Sequence, residues 1–306
     1  MLEIIKRVMK VFKIENIEDL SNVSKGMNLI LGLFDGLHIG HVQLIKYAKY
    51  NSKKNLAVLT FDRNLKNQDN SVILSFQDKM QVFENLGVDE VYIFKCDEKF
   101  KKITYIDFIN KVLKKFMPIS IYCGNDFRFG YKAQGDISNL KAEFNNVISL
   151  NLLCDSTGEK ISTTKIKQLL ISGEIEKANS LIGRNYYITG KVKKGLKNGG
   201  SAGFPTINVD FSNIYVIPKN GVYLTKVYVE NKCYYGMTNV GVHPTISELN
   251  KPISETYIFD FNKKIYGETV KIEFLKYIRE EKKFENFEEL THQLKIDEEK
   301  IKKMIF

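Results

Sequence analysis

Apolar residues in the first half of the chain come in short runs that alternate with segments of helical period. Leu29 to Leu33, Leu56 to Phe61 and Glu90 to Phe94 read as strands, and Val42 to Tyr50 and Lys79 to Leu86 read as the helices between them. That rhythm predicts a parallel sheet covered by helices. Tyr105 to Phe116 extends it as a helix and Ile119 to Cys123 as another strand. Ser162 to Ile171 and Glu174 to Ile182 then predict two short helices split by Gly173, a residue suited to a left-handed helix end.

After Gly183 the pattern changes to alternating β-branched and aromatic residues. Tyr187 to Val192, Val222 to Val229, Cys233 to Val240, Thr256 to Phe261 and Val270 to Ile278 read as strands without intervening helices, which predicts a small antiparallel barrel. The segment Glu230, Asn231, Lys232 makes the second and third of these a hairpin. Phe287, Leu290, Leu294 and Ile301, set among charges, predict a terminal helix from Asn286 to Ile305 packed on the barrel. The expected organisation is an α/β domain over 1–183, Rossmann-like with a parallel sheet, and a barrel domain over 184–306.

Composition fits two cores. The 306 residues exceed the usual size of one domain, and 43% hydrophobic content with only 5 prolines leaves enough apolar material and few disordered linkers. No apolar run reaches membrane-spanning length, and Glu3, Lys6, Arg7 and Lys10 interrupt the N-terminus where a secretory signal would be continuous, so a cytoplasmic location is expected. Cys96, Cys123, Cys154 and Cys233 form no C-x-x-C pair, which argues against a disulfide framework or clustered zinc. The net charge of +10 is spread over scattered lysines without a basic block. It suits phosphate-bearing small molecules, and equally a surface that lysines merely keep soluble; no nucleic-acid or membrane partner is expected.

Three stretches could carry chemistry in the first half. Gly32 to His41, GLFDGLHIGH, follows a strand and opens a helix. Glycines 32, 36 and 40 permit close backbone approach, and His38 and His41, spaced three apart at a helix start, can both face one anion. Zinc would need more ligands nearby, and a glycine turn carrying surface histidines is the plain alternative. Tyr122 to Gly130, YCGNDFRFG, sits at a strand end, where open parallel sheets bind ligands. Arg128 could clamp phosphate and Asp126 orient a ribose or a metal-bound water, against a local ion pair as competitor. Ser162, Thr163 and Thr164 precede a helix carrying Lys165 and Lys167, an anion site or an ordinary N-cap.

In this order the three stretches resemble the nucleotidyltransferase half of the bacterial bifunctional riboflavin kinase/FAD synthetases, whose patterns are G-x-F-D-G-x-H-x-G-H, G-x-D-F-R-F-G and I-S-S-T-x-I-R. Gly203, Phe204, Pro205, Thr206, Ile207 and Asn208 follow a loop containing Gly195, Gly199 and Gly200, and resemble the flavin-kinase half. So do Glu255 at the head of ETYIFDF and the later Arg279, Glu281, Lys283 and Phe284. The resemblance spans nearly the whole chain.

It implies riboflavin phosphorylation to FMN on the barrel and adenylylation of FMN to FAD on the N-terminal domain, with ATP as co-substrate. Gly32, Phe34, Asp35, Gly40, Asp126, Arg128, Ser162, Thr163, Thr164 and Lys167 would hold nucleotide, with His38 and His41 stabilising charge. Gly195, Gly199, Gly203, Pro205 and Arg279 would hold ATP and flavin on the barrel. Thr206 and Asn208 would hold Mg2+, and Glu255 would be the general base; hard oxygen ligands and a proton-accepting carboxylate suit those tasks. Without the Gly-Phe-Pro-Thr-Ile-Asn run, Glu255 would read as an exposed strand-end carboxylate. The implied partners are riboflavin, FMN and ATP, and the implied state is a monomer or a weak self-associate.

The chain departs from the family at Lys167 for the usual Arg, at Gly200 for Arg, and after Phe61, where Asp62 and Arg63 stand without Pro-His-Pro. Lys167 keeps a charge and loses the bidentate fork. Two other functions fit these residues: a riboflavin kinase with a weak or inactive adenylylating domain, and a non-catalytic flavin or nucleic-acid binding module.

Overall fold

A computed structural model of the chain describes residues 8–52, 54–62, 71–151, 153–193, 204–211, 214–242 and 252–305. It divides into two compact units, one of Met1–Asn70 with Phe76–Ile161 and the other of Ser71–Ser75 with Ser162–Phe306.

The first unit holds strands β1 (Lys10–Ile14), β2 (Asn28–Leu31), β3 (Leu56–Phe61), β4 (Glu90–Phe94), β5 (Ser120–Gly124) and β6 (Val147–Leu150). Its helices are α1 (Ile39–Tyr50), α2 (Phe76–Asn85), α3 (Tyr105–Asp107) and α4 (Ile137–Glu143). The strands form one six-stranded sheet in the order β1-β4-β3-β2-β5-β6, with every pairing parallel. β2 and β4 are buried along their whole length and β3 along all but its last residue. Strands covered on both faces read as continuous apolar runs, which is why their pattern was visible in the sequence.

The edge strands were not predicted. β1 carries Lys10 and Lys13 and exposes four of its five residues, and β6 is only half-buried. An edge strand needs no unbroken apolar run. The helix predicted from Tyr105 to Phe116 is a single turn that widens to a π-turn over Phe108–Val112 and tightens to a 3-10 turn over Leu113–Phe116. It ends at Met117 with a left-handed φ of 44°. The chain winds outward from β2 through β3 to β4, then crosses back to place β5 on the other side of β2. The strand order therefore reverses between β2 and β5, and in open parallel sheets ligands bind at such a reversal, beyond the C-terminal strand ends.

The second unit opens with α5 (Thr163–Ser172) and α6 (Ile175–Ile182), ended by Gly173 and Gly183 in the left-handed conformation. There follow β7 (Tyr186–Lys191), β8 (Thr206–Asp210), β9 (Gly221–Val229), β10 (Lys232–Val242), β11 (Pro252–Ile258), β12 (Thr269–Arg279) and α7 (Phe287–Ile305). The strands are antiparallel in the order β7-β12-β9-β10-β11-β8, and a bridge from Lys193 to Asn208 brings the end of β7 to β8, curling the sheet into a barrel. Glu230 and Asn231 both take positive φ, 48° and 66°, in the two-residue turn between β9 and β10. That twist matches the flanking strands and fixes the predicted hairpin.

β8 lies in a stretch read in the sequence only as a motif, and β11 runs earlier than the predicted Thr256 to Phe261. Asp260, at φ 55°, turns the chain out of the sheet before Phe261 is reached. Inside the barrel Thr225, Thr238 and Thr256, all fully buried, form a hydroxyl chain with oxygen separations of 2.8 and 2.9 Å. α7 buries Ile301 against Val222, Leu224 and Met237, on the face its apolar spacing predicted.

Asn179 of α6 ties that helix to the barrel backbone at two points. Asn179 donates to the Phe274 carbonyl at 2.8 Å and accepts from the Tyr186 amide at 2.7 Å. Asn179→Ala leaves both backbone groups without this partner and should destabilise the second unit by about 1–3 kcal/mol. Chemical unfolding of the full chain measures the loss.

Candidate active sites

The GLFDGLHIGH turn leaves the end of β2 under backbone strain. Phe34 and Leu37 hold positive φ values of 54° and 42°, alongside Gly36 at 73°. Such angles in non-glycine residues persist only where packing enforces them. Phe34 supplies that packing: its buried ring meets His41 edge-on at 5.1 Å and Phe83 of α2 at 5.7 Å. A side chain at position 32 would place its Cβ 2.8 Å from the Phe34 ring, and one at position 40 would sit 3.3 Å from the His38 ring. Both glycines thus make room for the rings that shape the turn.

His38 and His41 are brought together. Their rings stack at 3.7 Å with a 21° tilt, at the start of α1, where the first-turn amides have no helical partner. The Nδ1 of His41 is buried and has no hydrogen-bond partner among the described residues. Burial first, then the neighbouring His38, Lys79 and Lys160, holds the His41 imidazole well below its ordinary pKa, so it is neutral near pH 7.

Lys79, one turn into α2, was not singled out in the sequence. Its buried ammonium donates to the Leu33 carbonyl at 2.7 Å and to Thr60 Oγ1 at 3.1 Å. Burial lowers its pKa to about 8, opposed by the attraction of Asp35. The lysine is one of six polar residues in the ten of α2, so nothing local in the sequence marks it out.

After β5, Arg128 and Asp126 pair with different residues. Arg128 Nη1 lies 2.9 Å from Asp136, the N-cap of α4, and Asp126 pairs with Lys160. Both pairs are half-exposed, so each can exchange its partner for a ligand at little cost.

Ser162, Thr163, Thr164 and Lys167 open α5 in the second unit. The Ser162 hydroxyl accepts from the Lys165 amide at 3.3 Å, an N-cap. Lys167 is buried and donates to Ser71, through its carbonyl and its hydroxyl.

On the barrel, antiparallel registry of β8 with β11 sets Asn208 opposite Glu255, and β10 sets Asn239 on the other side of Glu255. Thr206, two residues before Asn208, points to the same face. Its hydroxyl donates to Glu255 Oε1 at 2.6 Å. Asn239 is a member of this row that sequence reading missed; a polar residue inside an apolar strand was its only signal. Phe204 is buried against Tyr257 at 5.0 Å, and Pro205 is exposed beside it. Gly195, Gly199 and Gly203 lie outside the described residues.

Arg279 is paired with α7. Its guanidinium forks onto Asp297 of α7 at 2.9 and 2.6 Å, and Nη1 donates to the Glu280 carbonyl at 2.8 Å. Asp297 is buried and also accepts from Gln293 at 2.9 Å.

Residues 20–165 match the FAD synthetase family and residues 182–305 the riboflavin kinase family. The chain is 34% identical to the bifunctional riboflavin kinase/FMN adenylyltransferase of Bacillus subtilis, covering 89% of this chain and 90% of that one. It is 33% identical to the protein of the same name from Listeria monocytogenes, over 92% and 93% of the two chains. A solved structure from Streptococcus pneumoniae, described as a macrolide-efflux protein, superposes with a TM-score of 0.87 at 30% identity over 95% of this chain and 98% of that one. Among the described residues of the present chain no helix is long and apolar enough to cross a membrane.

Two outcomes are expected from this geometry. Arg279→Ala strands the buried Asp297 carboxylate and should cost about 3–5 kcal/mol of stability in the second unit, read by chemical unfolding. His41 titrates lower when folded than its unfolded value of 6.5, so the unfolded chain binds the proton first as pH falls. Stability should therefore drop on acidification below about pH 6.5, and less steeply in His41→Gln, as followed by thermal unfolding against pH.

Proposed function

Because the chain belongs to the family of bifunctional riboflavin kinases/FMN adenylyltransferases, we propose that it makes both flavin cofactors, with FMN formed on residues 184–306 and FAD on residues 1–183. The observation that carries the kinase assignment is the Thr206–Asn208–Glu255 row on adjacent strands. Glu255 accepts the proton of the riboflavin primary hydroxyl as that oxygen bonds to the γ-phosphorus of ATP and the bond to ADP breaks. The Thr206 hydroxyl, donating to Glu255 at 2.6 Å, holds the carboxylate in one orientation.

Thr206 and Asn208 would also hold Mg2+. The donor set fits: the hydroxyl proton is committed to Glu255, leaving lone pairs for a cation, and the Asn208 amide adds a hard carbonyl oxygen. A magnesium ion with few protein ligands keeps sites for ATP phosphate oxygens, whose charge it neutralises when bound. Pro205 and the loop containing Gly195, Gly199 and Gly203 belong to the same proposed ATP and flavin site. Arg279, held in place by Asp297 of α7, belongs to that proposed site as well.

In the N-terminal domain FMN phosphate attacks the α-phosphorus of ATP, and pyrophosphate leaves with the bonding pair. His38 and His41, with the first-turn amides of α1, stabilise the charge that builds on the phosphates. Gly32, Phe34, Asp35 and Gly40 shape that turn, and Asp126 and Arg128 belong to the same proposed nucleotide site; for Ser162, Thr163, Thr164 and Lys167 the nucleotide-binding role is the one the family resemblance implies. Both reactions are in-line displacements that depend on positioning. The enzyme works on small molecules in the cytoplasm, as a monomer or weak self-associate.

Incubation with riboflavin, ATP and Mg2+, followed by chromatographic separation of riboflavin, FMN and FAD, tests the assignment. Glu255→Gln should lower FMN formation by about a hundredfold to ten-thousandfold while leaving FAD formation from supplied FMN intact. His38→Ala with His41→Ala should do the reverse, accumulating FMN. A Glu255→Gln variant within about threefold of the parent would make Glu255 a structural carboxylate.

A further inference from the structure

Lysine is rarely buried unless its ammonium is fully used. In the first unit Lys79 is half-buried beneath the strained turn, with its ammonium desolvated, and that ammonium and the Thr60 hydroxyl converge on one carbonyl oxygen. Leu33 O accepts from Lys79 at 2.7 Å and from Thr60 Oγ1 at 2.8 Å, while Lys79 also reaches Thr60 at 3.1 Å. This closed triangle ties α2, β3 and the end of β2 to a single point. The residue after that point is Phe34, the first of the positive-φ positions, whose ring supports His41. Thr60 is itself buried, so water does not compete for the carbonyl.

The charged and titratable groups that interact with this cation are Asp35 in the turn and His41 at the start of α1, and His41 in turn faces His38 and Lys160. Asp35 favours the ammonium, and the ammonium in turn disfavours a proton on His41. We propose that Lys79 is a positioning residue for adenylyl transfer: by clamping the Leu33 carbonyl it holds the strained turn so that the stacked histidines meet the nucleotide phosphates in one fixed geometry. The inference rests on reading the turn as the adenylylating site.

Its role is mechanical and electrostatic together. Without the clamp, the strain at Phe34 and Leu37 has a route to relax, and a displacement on the order of 1 Å at a reacting centre costs about a hundredfold in rate. Burial has brought the ammonium to titrate near pH 8, so the clamp loses its charge as pH rises through that value.

The test uses the full-length parent and Lys79→Met, assayed separately for FAD from FMN and ATP and for FMN from riboflavin and ATP. Lys79→Met should lower kcat for FAD by about tenfold to a hundredfold, change KM for ATP by less than about threefold, and leave FMN formation unchanged. With only 4 histidines in the chain, NMR can follow the His41 imidazole, which should titrate at higher pH in the variant. In the parent, kcat/KM for FAD should fall as pH rises through about 8, a limb absent from FMN formation. Lys79→Arg, charged at every accessible pH, should move that limb upward.

FAD formation by Lys79→Met within about threefold of the parent, or a loss confined to KM, overturns the positioning role. Should Lys79→Met fail to fold, the parent profile decides: no limb between about pH 7 and 9.5 overturns the proposal equally. A parent that makes FMN but no FAD overturns the reading of the turn itself, and Lys79's role with it.

Discussion

The pairing of β2 with β5 constrains everything that happens at the end of the parallel sheet. The two strands are distant in sequence yet parallel neighbours, with Asn28 opposite Ser120 and Ile30 opposite Tyr122. Because the sheet winds outward in both directions from this pair, no crossover helix covers the gap above it. The GLFDGLHIGH turn and the NDFRFG turn both leave the sheet there. A slip in this register would displace both strands and separate the turns, which is how buried central strands enforce the geometry of a site made of loops.

The barrel solves the same problem with antiparallel registry. Asn208, Glu255 and Asn239 come from three strands and form one transverse row because β8, β11 and β10 are hydrogen-bonded at those positions. Alternation places Thr206 on their face and Ser254 and Thr256 in the interior. Polar chemistry and a packed core are thus separated by a single peptide unit. The first unit stores strain at its site, whereas the second uses relaxed strands and a short hydrogen bond to orient its carboxylate.

Much of this was legible in sequence for definite reasons. Strands buried on both faces leave unbroken apolar runs, and helices with one buried face leave a period, so β2 to β5 and α7 were readable. β1 and β6 were not, since half-exposed edge strands leave neither signal. The histidine pair was legible because two scarce residues fell at a helix start. Lys79 was not, because its importance lies in meeting a carbonyl 46 residues away, which no local pattern encodes. Asn239 escaped for the same reason: only cross-strand registry makes it a neighbour of Glu255. For Arg279 the motif gave the residue, and the structure supplied its partner, Asp297, on a helix that the spacing alone did not link to it.

The threonine chain in the barrel interior bears on how this sequence can change over time. Each of Thr225, Thr238 and Thr256 satisfies its neighbour, with the middle hydroxyl serving both sides. Exchanging Thr238 alone for an apolar isostere would orphan two buried hydroxyls, whereas exchanging all three would remove donors and acceptors together at small net cost. The three codons therefore form an epistatic set: the all-hydroxyl and all-apolar interiors are both viable, the intermediates are disfavoured, and drift within the barrel is confined to one side of that divide.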